Sequence, residues 1–343
     1  MVRVLHLSDS LPDFSAERSS AALAQHVGDA WQIETRSIGR GGDYGNAPLA
    51  FLGLRGGAIE EFDVVHAWSF TALWVAALSG ERPIIFTPSQ ALPGRSMRWL
   101  GAAMRRREVH LVCSSDAERD FYLRNRIDPQ RCSVIRPGTH LGRNTPRRDP
   151  ALRAALGLAD ADYVLLAPGE STRASGHREA LWSTAILHEL DPCYRILTWG
   201  RGPMMPLCVR LAGKFRQPTT LVTARQKLGR EIEFAELLPA ADAVLFVPTG
   251  PTPILPLAIC MAAGLPIIAT ACPWTGDLLQ DGENSTVIPR FSSPAVAQRV
   301  IELRQDAALE LRIRKSASAG ARELFALDRF VEQYKKLYLK LKP

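Results

Sequence analysis

The stretch AVLFVPTGPTPILPLAICMAAGLPIIATACPW, Ala243 to Trp274, carries no Asp, Glu, Lys or Arg. It is apolar enough to suggest a membrane span, but Pro248, Pro251, Pro253, Pro256 and Pro266 interrupt it. An unbroken apolar helix of about 20 residues is needed to cross a bilayer, so buried core is the better reading. The prolines divide the stretch into AVLFVP, ILPLAICMAAG and PIIATA, which read as strand, helix and strand. Two short apolar strands joined through a helix make a parallel βαβ unit, buried on both faces.

The same alternation continues outward in both directions. Upstream lie VRVLHLS, WQIETRSI, DVVHAWS, PIIFTPS, VHLVCSS and CSVIRPG, separated by helical patterns such as ERSSAALAQHVGD, TALWVAALSG and DAERDFYLRNR. After a Pro- and Arg-rich stretch, Arg143 to Asp149, it restarts with YVLLAPG, YRILTWG, TTLVTA, AVLFVP, PIIATA and STVIP. The helices predicted there are GHREALWSTAILHEL, PMMPLCVRLAGKF, EFAELLPAAD and ILPLAICMAAG. Two such runs imply two doubly wound α/β domains, with ligands expected at the carboxyl ends of the strands, in a cleft between the domains. The expected division is 1–145, 146–325 and a C-terminal helix, 326–343, that crosses back to the first domain. A long helical region, Ser293 to Leu324, precedes that helix, whose stripe is Phe330, Tyr334, Leu337, Tyr338 and Leu341.

The 343 residues are 46% hydrophobic and 22% charged, an ordinary globular balance that suits two domains. Six scattered cysteines show no Cys-x-x-Cys spacing, and MVRVLHLSDS reads as a strand and a polar loop, not a secretory signal. A cytoplasmic location, or the inner face of the membrane, is therefore expected. The net charge of +7 is concentrated in RSMRWLGAAMRRR, Arg95 to Arg107, and NTPRRDPALR, Asn144 to Arg153. Without alternating aromatic and basic residues, no nucleic-acid partner is expected. The Arg95–Arg107 segment fits a basic amphipathic helix at a membrane surface, or equally a domain helix with its arginines in water.

FDVVHAWS, VCSSDAERDFYLRNRIDPQRCSVIRPG, ADAVLFVP, MAAGLPIIAT and QDGENSTVIP occur in the order found in family-4 glycosyltransferases, and the chain resembles that family over nearly its whole length. The resemblance implies an α/β GT-B fold of two Rossmann-like domains facing across a cleft. It also implies transfer of a sugar from a nucleotide-sugar with retention, without a metal and with no cofactor beyond the donor. Activity itself depends on the site.

The family's site residues are replaced. Its glycine pair on the loop after the first strand corresponds to Phe14 and Ser15 in SLPDFSAER, where a Phe14 side chain occupies phosphate space. Its phosphate-clamp arginine and lysine correspond to Glu170 and Ser175 in APGESTRASGH. Its two glutamates, for the donor sugar and the ribose, correspond to Pro251 and Ile259, with Pro253 positioned to open the helix. Its histidine near the donor sugar corresponds to Ser89 and Gln90, whereas His66 survives in VVHAWS as an acceptor-side or a structural residue. Charge-assisted hydrogen bonds are worth roughly 1.5–3 kcal/mol each, so losing both clamp cations costs on the order of 3–6 kcal/mol. That is a factor of about a hundred to tens of thousands in binding.

What remains for a donor is Gly169, Arg173, Arg201, Gly202, Thr249 and Gly250. Asp160-Ala161-Asp162 is a loop coincidence with a metal-binding DxD, and Gly39-Arg40-Gly41-Gly42 is a turn. Two readings follow. In the first, the chain is a glycosyltransferase-like pseudoenzyme that binds a partner such as an active transferase. In the second, it is an active retaining transferase whose Arg173 and Arg201 hold the donor phosphates.

Overall fold

The computed structural model describes residues 1–9, 13–40, 42–55, 57–89, 91–92, 94–139, 147–215 and 220–343. The chain forms two compact units, Met1–Gly138 with Leu327–Pro343, and Thr139–Ala326. The expected 145/146 boundary lies outside the described residues.

The first unit contains strands β1 (Val2–Asp9), β2 (Trp31–Ile38), β3 (Val64–Ala67), β4 (Ile84–Phe86), β5 (Val109–Cys113) and β6 (Cys132–Val134). They form one parallel sheet in the order β2-β1-β3-β4-β5-β6. Its helices are α1 (Phe14–His26), α2 (Ala47–Leu54), α3 (Phe70–Ser79), α4 (Gly94–Arg106) and α5 (Asp116–Arg124). Every residue of β3, β4 and β5 is buried. Such strands tolerate uninterrupted apolar runs because helices cover both faces. Side chains of α2, α3 and α4 share the core of one face, whereas α1 packs with the other.

The second unit repeats the plan with β7 (Tyr163–Ala167), β8 (Tyr194–Thr198), β9 (Leu221–Thr223), β10 (Ala243–Phe246), β11 (Ile267–Thr270) and β12 (Thr286–Ile288). Its parallel order is β12-β11-β10-β7-β8-β9. Its helices are α6 (Pro150–Ala155), α7 (His177–Leu190), α8 (Met205–Ala212), α9 (Ala224–Leu228), α10 (Leu255–Ala262), α11 (Ser293–Gln305) and α12 (Ala307–Leu324). Each strand run read from the sequence contains a strand. EFAELLPAAD instead gives a 3-10 helix, Phe234–Ala240, because Pro239 lies inside it and removes a backbone donor. The long region from Ser293 divides at Asp306, which ends α11 and caps α12 by accepting from the Leu309 amide at 2.9 Å. Arg153, fully buried, bonds the carbonyl oxygens of Ala240 and Asp162 and pairs with Asp242 at 3.2 Å, pinning α6 to this sheet.

The last helix, α13 (Leu327–Leu341), belongs to the first unit. Its buried stripe, Phe330, Val331, Tyr334, Leu337 and Tyr338, shares a core with Val2, Val4, Leu23 and Trp68.

Candidate functional site

In doubly wound sheets ligands bind beyond the strand ends where the order reverses. That point lies between β7 and β10 in the second sheet and between β1 and β3 in the first.

In the second unit three loops converge on the reversal. Gly169 and Gly176 bracket the loop after β7, both with positive φ. A Cβ at Gly176 would stand 1.9 Å from the Val247 carbonyl oxygen, and one at Gly169 would meet Pro256 at 2.8 Å, so only glycine fits either position. The loop is tied on both sides. The Ser171 amide donates to the Arg201 carbonyl at 2.8 Å, and the Met204 amide donates to the Ser171 carbonyl at 2.9 Å. The Thr249 amide donates to the Ala174 carbonyl at 2.9 Å, and its hydroxyl donates to the Arg173 carbonyl at 3.2 Å. Gly202 lies so close to Ser171 that a Cβ would stand 2.5 Å from its backbone, and a Cβ at Gly250 would be 3.3 Å from that of Ala174. Gly169, Arg173, Arg201, Gly202, Thr249 and Gly250 are thus brought into one cluster.

The charges in this cluster are rearranged. The Glu170 carboxylate lies 3.9 Å from Arg201 Nε, and the Arg201 guanidinium covers the Trp199 ring at 4.6 Å. Arg201 is therefore already paired and stacked. Arg173 is exposed, with no ion pair or side-chain hydrogen bond among the described residues. Ser175 is buried and fully engaged. Its hydroxyl donates to the Thr172 carbonyl at 3.0 Å, accepts from the Thr172 amide at 3.0 Å and contacts His177 Nδ1 at 2.8 Å. Burial pushes the His177 pKa down to about 4, so its imidazole is neutral. The Thr172 hydroxyl is buried without a hydrogen-bond partner among the described residues.

Helix α10 opens at Leu255 with Pro256 in its first turn, so the opening proline is Pro256 and not Pro253. Within α10 every side chain is buried except Ile259, which is half-buried, as is Pro251 in the loop before it. The one position of α10 that is not sealed into the core therefore presents an alkyl group. The Asp160/Asp162 pair binds within its own unit, with Asp162 accepting from the Ala159 amide at 2.8 Å and pairing with Arg195 at 3.4 Å.

In the first unit, Asp13 caps α1, its carboxylate accepting from the amides of Ser15 and Ala16, both at 3.1 Å. A protein carboxylate thus fills the anion position at this helix start. Phe14 and Ser15 are buried in the first turn of α1, and the Ser15 hydroxyl has no partner among the described residues. His66 is corrected from acceptor-side candidate to structural residue. It is fully buried, stacked on Trp68 at 4.0 Å, with Nδ1 2.7 Å from the Tyr338 hydroxyl and Nε2 2.8 Å from the Thr87 hydroxyl. Both ring nitrogens are used, leaving none for a ligand. Ser89 is half-buried beyond β4, and Gln90 lies outside the described residues.

Sequence reasoning missed Asp9, which ends β1 at the reversal point and accepts from the Ser69 hydroxyl at 2.9 Å. It also missed Asp13, whose signal was an Asp directly before a helical pattern. Among the described residues no helix is long and apolar enough to cross a membrane, and no group of His, Cys, Asp and Glu is arranged to hold a metal.

Residues 13–143 match the profile of glycosyltransferase family 4, and residues 164–306 match that of glycosyl transferases group 1. The chain belongs to the family-4, group 1 glycosyltransferases. The similarities in sequence are distant. N-acetyl-alpha-D-glucosaminyl L-malate synthase of Bacillus anthracis is 23% identical over 188 residues, 54% of this chain, and the match spans 48% of that protein's length. Among solved structures, Anabaena HepE in complex with UDP-glucose superposes with a TM-score of 0.80 at 16% identity, over 99% of this chain and all of the other. Sucrose-phosphate synthase of Thermosynechococcus elongatus gives 0.76 at 15% identity, over 99% of each chain. These likenesses establish the GT-B fold of this family-4 glycosyltransferase.

Proposed function

We propose that this chain is a glycosyltransferase-fold protein that has given up sugar transfer and works by binding, as the partner of an active transferase. The carrying observation is the ion pair between Glu170 and Arg201, 3.9 Å apart at the donor-side reversal point. A resident carboxylate there competes with the diphosphate that a nucleotide-sugar would bring. Three further replacements support the reading. Ser175 spends its hydroxyl on its own loop, Ile259 offers no acceptor to a ribose, and Pro251 offers none to a sugar. Groups that act as a unit in catalysis rarely leave useful activity when several are removed together. The six free cysteines fit a reducing compartment such as the cytoplasm.

A specific observation favours a second reading, an active retaining transferase with a rewired donor site. The glycine-built loop is intact, and Arg173 on it is exposed and unpaired among the described residues. A nucleotide-sugar such as the UDP-glucose bound by HepE is then the donor class to test.

Thermal unfolding against UDP, GDP, ADP and their sugars separates the two. A ligand at about a hundred times its Kd stabilises by about 2.7 kcal/mol, a shift of several degrees. A flat panel supports the binding-protein reading. A selective shift, with sugar transfer that disappears in Arg173→Ala, overturns it in favour of the second.

A further inference from the structure

Two thiols in the core of the first unit touch without being joined. Cys113 ends β5 and Cys132 opens β6, and their sulfurs lie 3.6 Å apart. In this parallel pair Cys113 stands opposite Val134 and Cys132 opposite Leu111, so the sulfurs reach toward each other diagonally across the ladder. Residues two apart on a strand share a face, which puts both thiols in one core with Leu111 and Tyr122. A disulfide holds its sulfurs at about 2.05 Å, so closing this contact requires a movement of roughly 1.5 Å. That movement is available on one side. β6 is three residues long and lies at the edge of the sheet, bonded to β5 alone. Cys113 on the inner strand is fully buried, whereas Cys132 keeps 5% of its surface in solvent. The thiols are also chemically unequal. The contact with Cys113 pulls the Cys132 thiol below its ordinary range, whereas burial pushes that of Cys113 well above it. The thiolate is the nucleophile, so Cys132 is the sulfur that attacks and Cys113 the one that resolves.

We propose that Cys113 and Cys132 form a redox-responsive dithiol, open in a reduced thiol pool and closed to a disulfide when that pool becomes oxidised. With glutathione disulfide as the oxidant, the Cys132 thiolate attacks one of its sulfurs, the glutathione S–S bond breaks and one glutathione thiolate leaves. The Cys113 sulfur then attacks the Cys132 sulfur of the mixed disulfide and expels the second glutathione. Two cysteine thiols are oxidised, one glutathione disulfide is reduced to two thiols, and the cysteine protons go to the departing thiolates. The diagonal placement decides what closure does, because it draws β6 along β5. The chain just beyond β6 is tied down. The Ile135 amide donates to the Cys113 carbonyl at 3.0 Å, and Arg136 pairs with Asp116 at 2.5 Å. Gly138 lies against Phe330 of α13, where a Cβ would stand 2.7 Å from its side chain. Closure loosens these ties, and strain of that kind keeps a disulfide easy to reduce. The inference is independent of whether the donor site is catalytic.

The test equilibrates the full, folded chain with reduced and oxidised glutathione over a series of ratios, quenches in acid, and maps free thiols by alkylation in denaturant. The thiols of Cys113 and Cys132 are expected to disappear together, with a mass lower by two hydrogens and full recovery in dithiothreitol. The Ile135 amide should exchange its hydrogen faster in the oxidised chain than in the reduced one. Cys113→Ala should stop at a glutathione adduct on Cys132, and Cys132→Ser should leave Cys113 unmodified. If either variant does not fold, the joined peptides carrying Cys113 and Cys132 in the parent chain decide the pairing. Both thiols still free at the most oxidising ratio, a glutathione adduct on Cys132 of the parent chain without cross-linking, or a bond to another cysteine would each overturn the proposal. Unchanged exchange at Ile135 in a cross-linked chain would overturn the movement of β6.

Discussion

The Tyr338 hydroxyl lies 2.7 Å from His66 Nδ1 and 3.0 Å from His6 Nε2, so one phenol on the last helix joins the first and third strands of the sheet. The chain of contacts continues from His6 to the Ser20 hydroxyl at 2.7 Å, and from His66 through Thr87 to the Tyr334 hydroxyl at 2.9 Å. A buried network of this kind is stabilising only while every member is satisfied.

Removing the phenol oxygen therefore strands two imidazole nitrogens. Tyr338→Phe is expected to lower unfolding free energy by about 2–6 kcal/mol, since each orphaned buried polar group costs about 1–3 kcal/mol. Urea denaturation measures it. A change below about 0.5 kcal/mol would mean that the network does not hold the helix.

Acid should weaken the fold by a stated route. Burial lowers the pKa of His6 to about 3, lowers His66 well below its ordinary value with help from His6, and lowers His110 and His177 to about 4. The unfolded chain then binds more protons than the folded one below pH 6.5, so stability is complete above 6.5 and is lost as pH falls toward the folded values. At pH 5 His6, His110 and His177 each cost about 2 kcal/mol. Melting temperatures recorded from pH 7.5 to 5 should fall steadily. A flat profile would show that these rings are not neutral and buried.

Glu118 works in the opposite direction. It is buried beside β5, and desolvation raises its pKa to about 7 against the donors of Ser114. The contribution of its protonated form is complete below about pH 4.5 and is lost as pH rises through 7. Glu118→Gln should therefore be the more stable protein at pH 8.5, by on the order of 1–2 kcal/mol, with little difference at pH 5. Chemical denaturation at the two pH values checks the crossover.

Gly176 is fixed twice, by a φ of +75° and by the Val247 carbonyl 1.9 Å from where a Cβ would stand. Gly176→Ala is expected to cost at least about 2 kcal/mol and to displace the loop carrying Arg173. A variant as stable as the parent would show that the loop is not held as described.

Glu170→Gln removes the resident carboxylate while keeping its shape. Releasing Arg201 from that ion pair should raise affinity for a nucleoside diphosphate by about tenfold or more in calorimetry, as a charged hydrogen bond is worth about 1.5–3 kcal/mol. Unchanged binding would place Arg201 outside any phosphate position.

The strand positions were the most legible part of the fold, because fully buried parallel strands such as Val64–Ala67 and Ala243–Phe246 must be written as apolar runs. Helices were less legible where packing overrode pattern. APLAFLGL became α2 although its apolar residues show no clear helical stripe, and Leu49 and Leu52 remain in water. At the reversal point of the second unit the sequence singled out Glu170 and Ser175 but not their partners. That Glu170 faces Arg201, or that Ser175 closes on Thr172, depends on loop paths which side-chain identity alone does not determine. His66 shows the same limit, since its partner Tyr338 stands 272 positions away.

The placement of Leu327–Leu341 in the first unit has a consequence during synthesis. Chains emerge from the ribosome amino end first, and domains generally fold in that order. Here the sheet of the first unit is made before Tyr334 and Tyr338, which are translated only after the whole of Thr139–Ala326. The half that begins first finishes last. Until then His6 and His66 lack their phenol partner, and a chain stopped near Ala326 leaves the first unit without that part of its core.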